Sequence, residues 1–120
     1  MKKILIIEDE PDLCQIYKLR LESNYEIIIA QDGMTGLDMA RNEKPDLILL
    51  DIMLPKLNGL QICRLLKFDD KYKDIPILIV TARGQIADKE MMTKMGANDY
   101  IIKPFKTEEL IRKIEGIIEK

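Results

Sequence analysis

Apolar residues along this chain fall into two alternating rhythms. Short, nearly unbroken runs (KKILII at 2–7, DLILL at 46–50, IPILIV at 75–80) are separated by longer stretches where apolar positions recur every three or four residues. A run without polar alternation marks a strand covered on both faces, and the wider spacing marks a helix with one apolar stripe. Two further β-rich runs, YEIIIA at 25–30 and DYII at 99–102, bring the predicted strands to five.

Five helices are predicted between and after them. The first opens at Pro11, whose missing N–H costs nothing in a first turn, and carries Leu13, Ile16, Tyr17 and Leu21 as its stripe. Asp32 and Asn58 stand where their side chains would cap the second and third helices. The second runs through Leu37 and Ala40 and stops before Pro45. The fourth runs through Met91, Met92 and Met95 to Gly96, a residue suited to a left-handed helix end. The last opens at Thr107, Glu108 and Glu109 and turns Leu110, Ile114, Ile117 and Ile118 toward a core. No repeat, linker or low-complexity stretch interrupts the alternation. The pattern predicts one α/β domain over residues 1–120, a doubly wound five-stranded parallel sheet flanked by five helices.

Composition narrows the chemistry. A net charge of −2 gives no concentrated basic patch for nucleic acid. No apolar run is long enough to span a membrane, and no basic-then-apolar leader opens the chain. Cys14 and Cys63 form no metal-ligand pattern and read as small packing residues of a reduced, cytoplasmic protein. The chain has no histidine, which removes the commonest general base, the usual zinc ligand and any phosphate carried on its own imidazole. Carboxylates, hydroxyls and lysine remain.

In doubly wound sheets the working crevice lies beyond the carboxyl ends of the strands. There the first strand leads to Glu8 and Asp9, the third to Asp51, the fourth to Thr81 and the fifth to Lys103 and Pro104. Three clustered carboxylates repel one another unless a cation sits among them, and a hard ion such as Mg²⁺ suits an all-oxygen donor set. A carboxylate can also attack a phosphoryl group, with the metal, an ammonium and a hydroxyl neutralising the transferred oxygens. Together these residues read as an aspartate-accepting phosphoryl-transfer site.

The chain resembles, over its whole length, the receiver domains of two-component response regulators. The resemblance is carried by Glu8-Asp9, by LLDIMLPKLNG around Asp51, by IVTA with Thr81 and by DYIIKPF with Lys103. It implies a flavodoxin-like strand order 2-1-3-4-5 and a set of roles. Asp51 would be the phosphoacceptor, and Glu8, Asp9, Asp51 and the backbone carbonyl of Met53 would hold Mg²⁺. Lys103 would contact the phosphoryl group, followed by a cis peptide to Pro104. Thr81 would be the switch hydroxyl and Tyr100 the switch aromatic. Met53 and Arg83, two residues beyond Asp51 and Thr81, would tune the lifetime of the phosphate. The expected partners are a sensor histidine kinase or phosphotransfer protein as donor, and a downstream target, an output domain or a second phosphorylated copy as reader. The reading face would comprise the fourth helix, fifth strand and last helix, with Lys89, Glu90, Lys94, Asp99, Arg112 and Lys113.

Two other activities fit less well. Phosphohydrolases that work through an aspartyl phosphate need a second acid two residues after the nucleophile, where this chain has Met53. A flavin carrier of the same topology needs a phosphate loop rich in Ser, Thr and Gly after the first strand, where this chain has EDEPD.

Overall fold

The computed structural model describes residues 1–54, 57–82 and 94–119. Strands β1 (Lys3–Ile7), β2 (Glu26–Ala30), β3 (Leu47–Asp51), β4 (Ile77–Ala82) and β5 (Asp99–Lys103) form one parallel sheet in the order 2-1-3-4-5. Four helices lie among the described residues: α1 (Pro11–Leu21), α2 (Gly33–Glu43), α3 (Gly59–Lys67) and α4 (Thr107–Ile118). Five were expected. The remaining one, through Met91, Met92 and Met95, falls largely outside the described residues, as do Arg83, Lys89 and Glu90. Lys94 is helical, and Gly96 takes a φ of +90° that a side chain would strain.

Alternate residues of the central strands feed two half-cores. Leu5, Ile7, Ile48, Leu50 and Ile79 point to the side of α2 and α3, where Leu37, Ile62, Cys63 and Leu66 meet them. Ile4, Ile6, Leu47, Leu49 and Val80 point to the side of α1 and α4, against Tyr17, Leu21, Leu110 and Ile114. Coverage on both faces explains the unbroken apolar runs of β1, β3 and β4.

Two expectations change in detail. The row of α1 against the sheet is Cys14, Tyr17 and Leu21, whereas Ile16 is 50% exposed. Ile16 follows Cys14 by two positions, and residues two apart on a helix face different ways. On α4, Leu110 and Ile114 are buried, but Ile117 and Ile118 are only half-buried. The strands also outrun their apolar segments. β3 ends on Asp51, β4 on Ala82 and β5 on Lys103, because ladder pairing uses backbone groups and continues past the last apolar side chain. The polar residues at these ends are therefore held as part of the sheet.

Beyond β3 the chain is pinned at the start of α3. Asn58 accepts from the Gln61 N–H at 3.0 Å, and the Gln61 side chain accepts from the Asn58 N–H at 3.1 Å, a reciprocal capping box. The next residue must be glycine, because a Cβ on Gly59 would stand 2.5 Å from the Asp51 carbonyl oxygen. Replacing Asn58 with Ala is expected to cost about 1 kcal/mol. In a domain of this size that lowers Tm by about 4 °C in calorimetry.

Candidate functional site

β1 and β3 are hydrogen-bonded neighbours, with Ile7 opposite Leu50. The next residues along, Glu8 and Asp51, therefore stand side by side, about one strand spacing of ~4.8 Å apart. Glu8 is 1% exposed and Asp51 7%, while Asp9 lies in water at the rim. The three offer carboxylate oxygens that all lie within 4.8 Å of one another. Lys103 reaches the cluster from β5, its Nζ 3.5 Å from Glu8 Oε1 and 3.7 Å from Asp51 Oδ2. Backbone donors hold the remaining oxygens. The Glu10 N–H donates to Glu8 Oε2 and the Met53 N–H to Asp51 Oδ1, each at 3.2 Å.

One ammonium does not balance three carboxylates. Burial, with the Asp51 charge second, pushes the Glu8 carboxyl up to about 7, against the pull of the Glu10 N–H and of Lys103. At neutral pH the cluster thus holds its missing positive charge partly as a proton on Glu8. Three convergent oxygen donors of this kind fit a small hard divalent ion, which would displace that proton.

Thr81 and Tyr100 stand one and two strands further along. Thr81 is 3% exposed and its hydroxyl donates to the Ala82 carbonyl at 3.2 Å. Ile79 lies opposite Tyr100 and Thr81 opposite Ile102, so Thr81 and Tyr100 share one face of the sheet as diagonal neighbours. Tyr100 is half-buried, packs on the α2–α3 half-core, and has the Lys113 Nζ 5.9 Å from its ring centroid. Lys113 also pairs with Asp99 at 3.2 Å. The Lys103–Pro104 peptide bond is cis. Glu8, Asp9, Asp51 and Lys103 thus meet directly, whereas Thr81 and Tyr100 flank them along the sheet.

Some contributors were not evident in the sequence. Lys67, the last residue of α3, sends its Nζ to the carbonyls of Lys73 and Ile75 and to the Asn98 side chain. It ties α3 to the entrances of β4 and β5. The Cys14 thiol donates to the Glu8 carbonyl at 3.3 Å, and burial raises its pKa, so it backs the acid cluster as a packing group. No helix among the described residues is long and apolar enough to cross a membrane.

Comparison with known proteins agrees with this geometry. The sequence family described as the response regulator receiver domain matches residues 4–115. The response regulator ArlR of Staphylococcus saprophyticus is 45% identical across all of this chain and 54% of its own length. The DNA-binding dual master transcriptional regulator RpaA of Synechocystis is 40% identical across all of this chain and 50% of its own. The chain therefore spans about half the length of the curated relatives it matches. Among solved structures, a response regulator receiver domain protein from Clostridium thermocellum superposes with a TM-score of 0.91 at 29% identity, covering 99% of this chain and 95% of its own. The receiver domain of a sensor histidine kinase from Pseudomonas aeruginosa, solved with a magnesium ion in its active-site cleft, gives 0.88 at 32% identity over 99% and 98%.

The Glu8 shift has a measurable consequence. An unfolded chain releases this proton near 4.5 and the folded one holds it to about 7, so folding takes up a proton between those values. Stability in metal-free buffer should therefore fall as pH rises from 5 to 8. Thermal melts with a chelator present check this, and Glu8→Gln should flatten the slope and raise Tm at pH 8.

Proposed function

The chain belongs to the response regulator receiver domain family, the phosphoacceptor switches of two-component signalling, and on that premise we propose that Asp51 is its phosphoacceptor. The observation that carries the assignment is the meeting of Asp51, Glu8 and Asp9 within 4.8 Å with the Lys103 ammonium 3.7 Å from Asp51. Asp51 is the carboxylate rigidly held at a strand end, with one oxygen engaged by the Met53 N–H and the other facing Lys103. The donor is a phosphohistidine on a partner kinase or phosphotransfer protein. An Asp51 oxygen attacks phosphorus, the P–N bond breaks, and the electron pair leaves with the partner imidazole. This forms an acyl phosphate.

Receiver domains bind Mg²⁺ at an acidic pocket, and in this chain Glu8, Asp9, Asp51 and the Met53 backbone carbonyl would hold it. When bound, the ion supplies positive charge where the incoming phosphoryl oxygens collect. Lys103 takes a phosphoryl oxygen, which exchanges its long contacts with Glu8 and Asp51 for a charge-assisted hydrogen bond. Burial raises the Glu8 pKa and a bound cation would lower it again, which couples metal binding to the charge state of the cluster.

Modification changes the Asp51 side chain from a charge near −1 to one nearer −2 and adds acceptor oxygens. The Thr81 hydroxyl turns from the Ala82 carbonyl toward those oxygens and opens space on the sheet face that it shares with Tyr100. The Tyr100 ring moves into that space, and the surface formed by β5 and α4, with Asp99, Arg112 and Lys113, changes its preference for a target, an output domain or a second copy. The setting is the cytoplasm, where such kinases present their phosphohistidine.

Incubation with Mg²⁺ and a small acyl-phosphate donor should add one phosphoryl group, read by intact mass. The gain should be absent in Asp51→Asn and in chelator. For the switch, Tyr100→Ala should still take up the group at Asp51 yet lose most of the phosphorylation-dependent change in partner affinity. Full retention of that change, measured by titration calorimetry, would separate Tyr100 from the switch.

A further inference from the structure

Asp99, Tyr100 and Lys113 form a closed set at the edge of the sheet. Asp99 opens β5 opposite Leu78 of β4, so the ladder fixes its backbone. Its Oδ1 accepts from the Tyr100 N–H at 2.7 Å, and its Oδ2 accepts from the Lys113 Nζ at 3.2 Å. The same Nζ stands 5.9 Å from the centroid of the Tyr100 ring. Glu109, one turn earlier on α4, lines the same groove, yet the ammonium is paired with Asp99. A carboxylate engaged at both oxygens thus keeps the ammonium beside the ring.

The direction of approach matters. Tyr100 packs on the α2–α3 side of the sheet, whereas α4 packs on the other side. Lys113 therefore reaches the ring around the free edge of β5. The face of an aromatic ring attracts a cation within about 6 Å. A ring that leans away from the edge, toward Thr81 on β4, retreats from the ammonium, and the ammonium cannot follow while Asp99 holds it. The side chains of Lys113 and Asp99 are 31% and 35% exposed, so water screens the set only in part.

We propose that Lys113 is a positioning residue that latches the Tyr100 ring at the sheet edge in the unmodified protein. The inference rests on the reading of Tyr100 as the switch aromatic and deepens it. Asp99 anchors the latch, Lys113 supplies the charge, and inward movement of the ring gives up the cation–aromatic contact. The latch thereby sets how far the unmodified chain already populates the inner place, and how much the modification of Asp51 must add.

The ring position is read in the unmodified, intact chain from the nuclear Overhauser contact between the Tyr100 ring and the Thr81 methyl. Lys113→Met keeps the length of the side chain and removes the charge, and should strengthen that contact about three-fold, the weight of one exposed cation–aromatic pair. Asp99→Asn keeps an acceptor for the Tyr100 N–H but frees the ammonium, and should strengthen it about two-fold. Lys113→Arg restores a cation over the ring and should match the unsubstituted chain, which a loss of packing alone would not predict. An unmoved ring in Lys113→Met or Asp99→Asn, or one moved as far by Lys113→Arg as by Lys113→Met, would overturn the latch. None of these readings needs a phosphoryl group, so failure of Asp51 to accept one would count against the phosphoacceptor assignment and leave the latch result standing.

Discussion

The repulsion among Glu8, Asp9 and Asp51 is the constraint on which the rest of this molecule turns. Three carboxylates within 4.8 Å of one another, two of them nearly buried, would drift apart in a flexible loop. They stay together because Glu8 directly follows β1 and Asp51 ends β3, adjacent strands whose ladder is packed on both faces. The sheet supplies the force that opposes the charges, and the cluster stores the unfavourable energy that a proton, an ammonium or a hard cation relieves.

This explains where the structure is stiff. The two half-cores fix β1 and β3 from above and below, and the Asn58–Gln61 capping box with Gly59 against the Asp51 carbonyl fixes the start of α3 beneath the site. At the opposite end of the strands, Lys67 binds the entrances of β4 and β5 to α3. A change of charge at Asp51 therefore finds little room to relax locally. On the proposed reading it is passed along the sheet, where Thr81 and Tyr100 lie on one face and the outermost strand is only half covered.

The edge strand is suited to that role by burial alone. β3 is buried at every position, whereas β5 alternates between buried Ile101 and exposed or half-buried neighbours. A side chain can change rotamer at such an edge without opening a cavity in the core, so the packing cost of switching is lower there than at any central strand.

Much of this was legible from the order of residues. Unbroken apolar runs announced doubly covered strands, Asp32 and Asn58 announced helix starts, and Glu8, Asp9, Asp51, Thr81 and Lys103 were found by reading the residue that ends each run. These are local signals, set by the periodicity of strand and helix and by capping chemistry. Features that depend on position in space were not legible. Ile16 looked like core and lies half in water, because the docking angle of α1 chose the row of Cys14, Tyr17 and Leu21. The raised pKa of Glu8 and the capture of the Lys67 ammonium by carbonyls arise from groups far apart in the chain. Sequence alone determined which groups this protein can use and the order of its elements, because these depend on nearest neighbours along the chain. Only the tertiary structure decided which charges meet and how dry they are, because desolvation and Coulomb energy depend on through-space distance.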